Sequence, residues 1–166
     1  MSQVKATTAS TQTFEFMTQD YSPFAINRPL RGHLETLISY WRDLRRGEAE
    51  IPFWDDIVLP DVKRLCGDVF LLDVFSGPER FRLNVAEIGL PQAEQDEILG
   101  KFIDDVVLPE PLALLRAQSS ATVELMRPTL YAHEATPEAP LDYQRLLLPA
   151  WGEGQVRMLL GAIERR

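Results

Sequence analysis

Residues 68–75 read DVFLLDVF, a run of aliphatic, β-branched and aromatic residues that is typical of a buried strand. Gly67 precedes this run, and Ser76-Gly77-Pro78 follows it, so the strand is predicted to end in a turn. In residues 81–85 (FRLNV), apolar side chains then alternate with polar ones, as expected of a strand with one face in solvent. Because the first strand is apolar on both faces, we expect both sides of the sheet to be covered near it.

Three more strands are predicted near the C-terminal end of the sequence, over residues 129–133, 141–148 and 155–163. Turn-forming residues connect them at 134–140 and at Gly152-Glu153-Gly154. Since strands and helices occur in separate runs, the order predicts an α+β fold with an antiparallel sheet.

The helical pattern is clearest over residues 33–46, and Gly47, directly after them, is expected to end the helix. Shorter patterns predict a helix over 92–99 and a longer one from Glu110 to Met126. The apolar stripe of the first helix is the candidate interface, and it would pack either on the domain's own sheet or on a second copy; its members are Leu34, Leu37, Ile38, Trp41 and Leu44.

Length and charge restrict the class of protein. The 166 residues fit one domain, predicted over 30–166 after a flexible N-terminal lead over 1–29. A net charge of −8 disfavours nucleic acid as a partner. No apolar run reaches the roughly 18 residues that span a bilayer, and no signal-peptide core is present, so we expect a cytoplasmic protein. Cys66 is the single cysteine, which excludes an internal disulfide.

Short elements spread along the chain form a recognisable series: Tyr40-Trp41, Leu44-Arg45, Gly47, Pro52, Asp55-Asp56, Val69–Val74, Phe81-Arg82-Leu83, Leu99-Gly100-Lys101, Arg145–Pro149 and Leu159–Ala162. In these elements, over roughly residues 34–163, the chain resembles a bacterial family of small stand-alone PAS-like proteins that carry a Tyr-Trp helix ahead of the fold. The resemblance implies two strands, then helices, then three strands, in a five-stranded antiparallel sheet with helices on one face and an N-terminal amphipathic helix. It also implies a sensory or regulatory role in signal transduction, often as a homodimer.

Cofactor chemistry is not expected. The segment 110–126 contains no His to ligate haem, and Cys66 precedes the first strand, unlike the reactive cysteine of photoactive flavin domains. His33 and His133 are about a hundred residues apart and predict no metal site. A small apolar ligand could occupy a candidate pocket, with a filled core as the alternative; its lining would be Phe70, Leu72, Phe81, Leu83, Leu112 and Leu115.

These patterns predict a non-catalytic PAS-like module that acts through protein–protein contacts and is tuned by a small apolar ligand. Two alternatives stay open. One is a ketosteroid-isomerase-like cone-fold enzyme that uses Asp73 as base in an apolar pocket, although a structural hydrogen bond from Asp73 to a neighbouring loop is favoured. The other is an adaptor with a filled core and no ligand.

Overall fold

A computed structural model describes residues 22–166 of the chain, so most of the predicted lead over 1–29 lies outside the described residues. Short 3₁₀ turns occur at Ser22–Phe24, Trp54–Asp56, Ile103–Asp105 and Glu110–Leu112. The longer elements, in chain order, are α1 His33–Asp43, α2 Leu59–Leu65, β1 Val69–Phe75, β2 Arg80–Glu87, α3 Gln92–Ile98, α4 Leu115–Leu125, β3 Thr129–His133, β4 Tyr143–Gly152 and β5 Gln155–Arg165.

The five strands form one antiparallel sheet in the order β2-β1-β5-β4-β3. The predicted α+β class with an antiparallel sheet is therefore confirmed. The strand DVFLLDVF lies inside the sheet, between β2 and β5, which explains why both of its faces are largely apolar. Its register sets Asp73 opposite Arg82 on β2 and opposite Met158 on β5.

Helices cover both faces of the sheet. Neighbouring residues of a strand point to opposite faces. On β4, Arg145 donates hydrogen bonds to Gln118 of α4 and to the segment before it, whereas Gln144 bonds to Pro29 and Arg31, directly before α1. The helices α4 and α1 therefore lie on opposite faces, which we call the inner face and the outer face respectively.

The apolar stripe of α1 packs within the chain's own core. The side chains of Leu34, Leu37, Ile38 and Trp41 are at most 3% exposed, and Leu44 is half-buried. The helix contacts β4 and β5. The sequence left two surfaces open for this stripe, the domain's own sheet and a second copy. In the structure the stripe packs on the domain's own sheet.

The helix predicted from Glu110 to Met126 is shorter than expected, and the prediction was wrong at its start. Pro109 precedes a single 3₁₀ turn that contains Pro111, and Leu114 then adopts a left-handed conformation with φ of 59°. Because proline lacks a backbone N–H and a left-handed residue interrupts the helical ladder, α4 begins only at Leu115.

The second half of β4 extends beyond its neighbour β3, whose pairing ends at Leu147. This overhang, residues 148–152, is covered by other groups. Trp151 N donates to Pro52 O at 2.8 Å, and the indole Nε1 of Trp41 donates to Pro149 O at 2.8 Å. Pro149 has no backbone N–H, so it leaves no unpaired donor at this margin of β4.

Candidate functional site

The residues of the predicted pocket all lie in the hydrophobic core and are fully buried. The ring of Phe70 lies directly over Gly161 of β5, so closely that a Cβ at position 161 would overlap three of its ring carbons. The aromatic side chain therefore fills the space over the middle of the sheet. Ligand binding by this set stays a prediction, and the side chains themselves pack as core.

A cleft of about 780 Å³ opens on the outer face, and residues of β1, β2 and β5 form its floor. One wall is the segment 54–59, and the other is the hairpin over 153–155 that joins β4 to β5. This volume lies in the range of small-molecule and anchor-residue pockets. Both polar and apolar side chains line it, so the cleft suits a ligand or a partner surface of mixed character.

Asp73 lies on the floor of this cleft and is held by the neighbouring strand. Arg82 Nη2 donates to its Oδ2 at 3.0 Å, and Asn84 Nδ2 lies 3.2 Å from both of its oxygens. The favoured prediction for Asp73 was a structural hydrogen bond to a neighbouring loop. Its hydrogen-bond partners come from the strand β2 instead. The cause is register, since Asp73 and Arg82 are directly opposite in the sheet.

Two arginine–aromatic stacks stand at the rim of the cleft. The Arg157 guanidinium lies 4.5 Å from the Trp54 ring centroid, and Arg82 lies 5.0 Å from that of Phe75. Trp54 is 38% exposed and Phe75 is 37% exposed, so each aromatic face is shared between its arginine and solvent. A Cβ at Gly152 would come within 2.5 Å of Trp54, so only glycine lets this ring lie against the hairpin.

Sequence reasoning missed these stacks. Trp54 lies between Pro52 and Pro60, outside every predicted element, and Arg157 lies in the predicted strand over 155–163. The two are a hundred positions apart, and no local pattern links them. Because exposure and spatial proximity are not visible in the sequence, no sequence signal could have suggested this site.

A buried polar cluster lies on the inner face, between α4 and the strands β3 and β4. Arg145 Nε donates to Gln118 Oε1 at 2.8 Å, and Gln118 Nε2 donates to Thr129 Oγ1 at 3.1 Å. The hydroxyl groups of Thr122 and Thr129 are 2.6 Å apart. All four residues are fully buried, which makes this cluster the most polar part of the core.

Burial changes the acidity of two groups in this region. Desolvation lowers the pKa of the Arg145 guanidinium to about 10, and desolvation also raises the pKa of the Tyr143 hydroxyl to about 12. Tyr143 donates to Glu110 O at 2.9 Å, and Arg145 Nη1 donates to Pro111 O at 3.0 Å. These two side chains thereby attach the Glu110–Leu112 turn to the sheet.

The remaining candidates for chemistry are dispersed. Cys66 is buried, and desolvation raises the pKa of its thiol to about 11, which disfavours the reactive thiolate at neutral pH.

His33 Nδ1 lies 3.5 Å from Glu164, while His133 Nε2 lies 3.8 Å from Glu110. Over residues 22–166, no cluster of three His, Cys, Asp or Glu residues could hold a metal ion. Within the same range, no helix is both long and apolar enough to cross a bilayer.

Comparison of the chain with protein-family models, with curated proteins and with solved structures gave no match.

Proposed function

We propose that this protein is a non-catalytic, PAS-like sensory or regulatory module that acts through protein–protein contacts. The order of its elements supports the proposal: two strands, then helices, then three strands, all in one antiparallel sheet. This is the order that the resemblance described above implies.

The cleft on the outer face is the contact surface in this proposal, and its two exposed stacks are the observation that carries it. Trp and Arg are enriched among the residues that dominate binding energy at protein interfaces. Here Trp54 with Arg157, and Phe75 with Arg82, are presented together around one cleft. An aromatic ring already stacked on an arginine loses little conformational freedom when a partner covers it.

The charges of the cleft favour a partner surface over a small anion. Three carboxylates line it, from Asp55, Asp73 and Glu153, against two guanidinium groups, from Arg82 and Arg157. Both guanidinium groups are paired within the chain, Arg82 with Asp73 and Arg157 with Glu153 at 2.7 Å. A partner would therefore meet a nearly neutral surface whose guanidinium groups are already paired, and the solvent-exposed parts of the Trp54 and Phe75 rings would be the surface left for it to cover.

Site-directed photo-crosslinking tests this surface in the cells that naturally express the protein. A photo-reactive residue at Gln155 samples the cleft, and the same residue at Val107, which is 95% exposed outside the cleft, is the matched control. We expect one defined protein adduct from Gln155 and none of that mass from Val107.

The variant Trp54→Ala, combined with the Gln155 probe, makes the test specific. Truncating an aromatic anchor typically costs about 2 kcal/mol or more of binding free energy, so adduct yield at limiting partner should fall at least about tenfold. An adduct that is insensitive to Trp54→Ala, or that also forms from Val107, would contradict the proposal.

Homodimerisation and an apolar ligand are further parts of the proposal. Because the α1 stripe is used inside the core, a dimer would have to form through the solvent-facing side of α1 or through another surface. Native mass spectrometry reports subunit number and bound mass together. A dimer carrying a discrete additional mass supports both parts, and a bare monomer removes both.

The enzyme alternative depends on Asp73. Both of its oxygens already accept hydrogen bonds, and helices interrupt the strands between β2 and β3, whereas the cone-fold enzymes begin with helices and finish on a long curved sheet. A turnover activity that Asp73→Asn abolishes, without loss of stability, would favour the enzyme over the binding module.

A further inference from the structure

A pocket of about 320 Å³ lies where the C-terminal ends of α1 and α4 meet. Three arginines line it: Arg42 and Arg45 at the end of α1, and Arg127 directly after α4. The two helices lie on opposite faces of the sheet, and their ends can share a pocket because the edge strand β3 begins only at Thr129. We call this cavity the basic pocket.

The three arginines have no carboxylate partner in the part of the chain that the structure describes. Of the fourteen arginines in residues 22–166, eight form ion pairs with carboxylates of the chain, and three of the other six line this pocket. Arg45 Nε donates to Arg42 O at 3.0 Å, which caps the end of α1 and leaves both terminal nitrogens of Arg45 for another acceptor. The adjacent Arg46 is instead paired with Asp56 at 2.6 Å. Positive charge is therefore concentrated at the pocket, on a chain whose net charge is −8.

The charges of the lining would be balanced by a dianion. Glu50 supplies the one carboxylate among the described lining residues, against three guanidinium groups. A phosphate monoester carries about −1.5 to −2 charges at pH 7 and offers three acceptor oxygens. Guanidinium groups bind such oxygens through paired hydrogen bonds, which a carboxylate with two oxygens can satisfy only in part.

The rest of the lining is apolar and consists of Trp41, Leu125, Met126 and Pro128. The guanidinium carbon of Arg45 lies 5.9 Å from the Trp41 ring centroid, so the charged and the apolar parts of the lining adjoin. Met126 is 38% exposed, and its thioether is suited to contact with an aromatic group. The volume is near the lower end of the range for ligand pockets, which suits a phosphoryl group with a small organic substituent.

We propose that the basic pocket binds a small phosphate monoester whose organic part is apolar. The phosphoryl oxygens accept hydrogen bonds from Arg42, Arg45 and Arg127, and the organic part lies against Met126. No residue lines both this pocket and the outer-face cleft, whose guanidinium groups are already paired within the chain. The inference therefore stands apart from the partner surface proposed above.

Isothermal titration calorimetry with phenyl phosphate tests the pocket, at an ionic strength of about 0.15 M. Phenyl sulfate has the same shape with one negative charge, and inorganic phosphate lacks the ring. We expect one phenyl phosphate per chain, bound at least about fivefold more tightly than either control. Equal affinity for phenyl sulfate would overturn the preference for a dianion, and equal affinity for inorganic phosphate would overturn the apolar contact. No binding of phenyl phosphate at about 10 mM would refute the site altogether.

Variants of exposed arginines assign the binding to the pocket. Arg42→Gln and Arg127→Gln should each weaken the binding of phenyl phosphate about tenfold, because each removes a hydrogen bond from a charged donor. Arg46→Gln is the matched control, since it removes the same charge near the same helix end from a guanidinium that Asp56 already holds. We expect it to change the affinity by less than about threefold at this ionic strength. An equal loss in all three variants would show diffuse attraction and would contradict a defined pocket.

Nuclear Overhauser contacts locate the ligand in the unmodified protein. The ring protons of phenyl phosphate should contact the methyl group of Met126, whose resonance is identified by its loss in Met126→Leu. Met158 lines the outer-face cleft, so contacts to its methyl group in place of Met126 would put the ligand in that cleft and overturn the assignment.

Discussion

The substitution Trp41→Ala should unfold the domain more easily and should not act merely by separating subunits. Trp41 is 3% exposed, and its indole N–H donates to Pro149 O, so the substitution removes both buried volume and a hydrogen bond. Replacing a buried Phe or Trp by Ala costs about 3–5 kcal/mol. Native domains are stable by about 5–15 kcal/mol, so this loss is a large fraction of the total.

Urea denaturation followed by far-UV circular dichroism measures this loss. With a slope of about 2 kcal/mol/M, a loss of about 4 kcal/mol moves the midpoint down by about 2 M. Trp41→Phe keeps most of the volume but leaves Pro149 O without its donor, so we expect a smaller loss of about 1–3 kcal/mol. Val107→Ala is the matched surface control and should change stability by less than about 0.5 kcal/mol.

The reasoning fails if Trp41→Ala leaves the urea midpoint unchanged while subunit number falls. That result would mean that the α1 stripe contacts a second copy in solution and not the chain's own sheet.

Three further predictions concern the core and two titrating groups. Gly161→Ala should lower stability by about 1–3 kcal/mol because the new methyl overlaps the Phe70 ring, and Phe70→Leu should remove most of that penalty; additive effects in urea would contradict the contact. Burial raises the pKa of Cys66 from 9.0 to about 11, so the stability of wild type relative to Cys66→Ala should fall from pH 9 to pH 11 by up to about 1.4 kcal/mol per pH unit; a flat difference would show that the thiol titrates normally. A hydrogen bond from Arg31 lowers the pKa of the Asp142 carboxyl, so the stability of wild type relative to Asp142→Asn should decrease as pH falls below about 4 and should not change between pH 6 and 8.

The strands were predictable because their signals are local. The run DVFLLDVF is bounded by turn residues, and the predicted strand at 129–133 coincides with β3. Alternation in β2 separates residues that the structure buries, such as Phe81 and Leu83, from the more exposed Arg82. Period-two patterns of this kind follow directly from strand geometry.

The candidate sites were not predictable, because tertiary contacts alone assemble them. Gln118 carries no sequence signal of burial, although it is fully buried against Arg145, 27 positions away. A sequence rule that assigns charged residues to the surface misplaces Arg145 in the same way. The left-handed conformation of Leu114, which moves the start of α4 to Leu115, was not predictable from the sequence either. Non-glycine residues adopt this conformation only where their surroundings impose it.

The overhang of β4 beyond β3 has a consequence for how the chain is made. An uncovered strand margin is a template on which another chain can add a strand, and that is a route to aggregation. Here Trp41 and Pro52 cover the margin, and Pro149 withholds the N–H that an incoming strand would need. Both covering residues are synthesised about a hundred positions before the strand that they protect. Each nascent chain therefore carries the cover for this margin before the margin emerges from the ribosome.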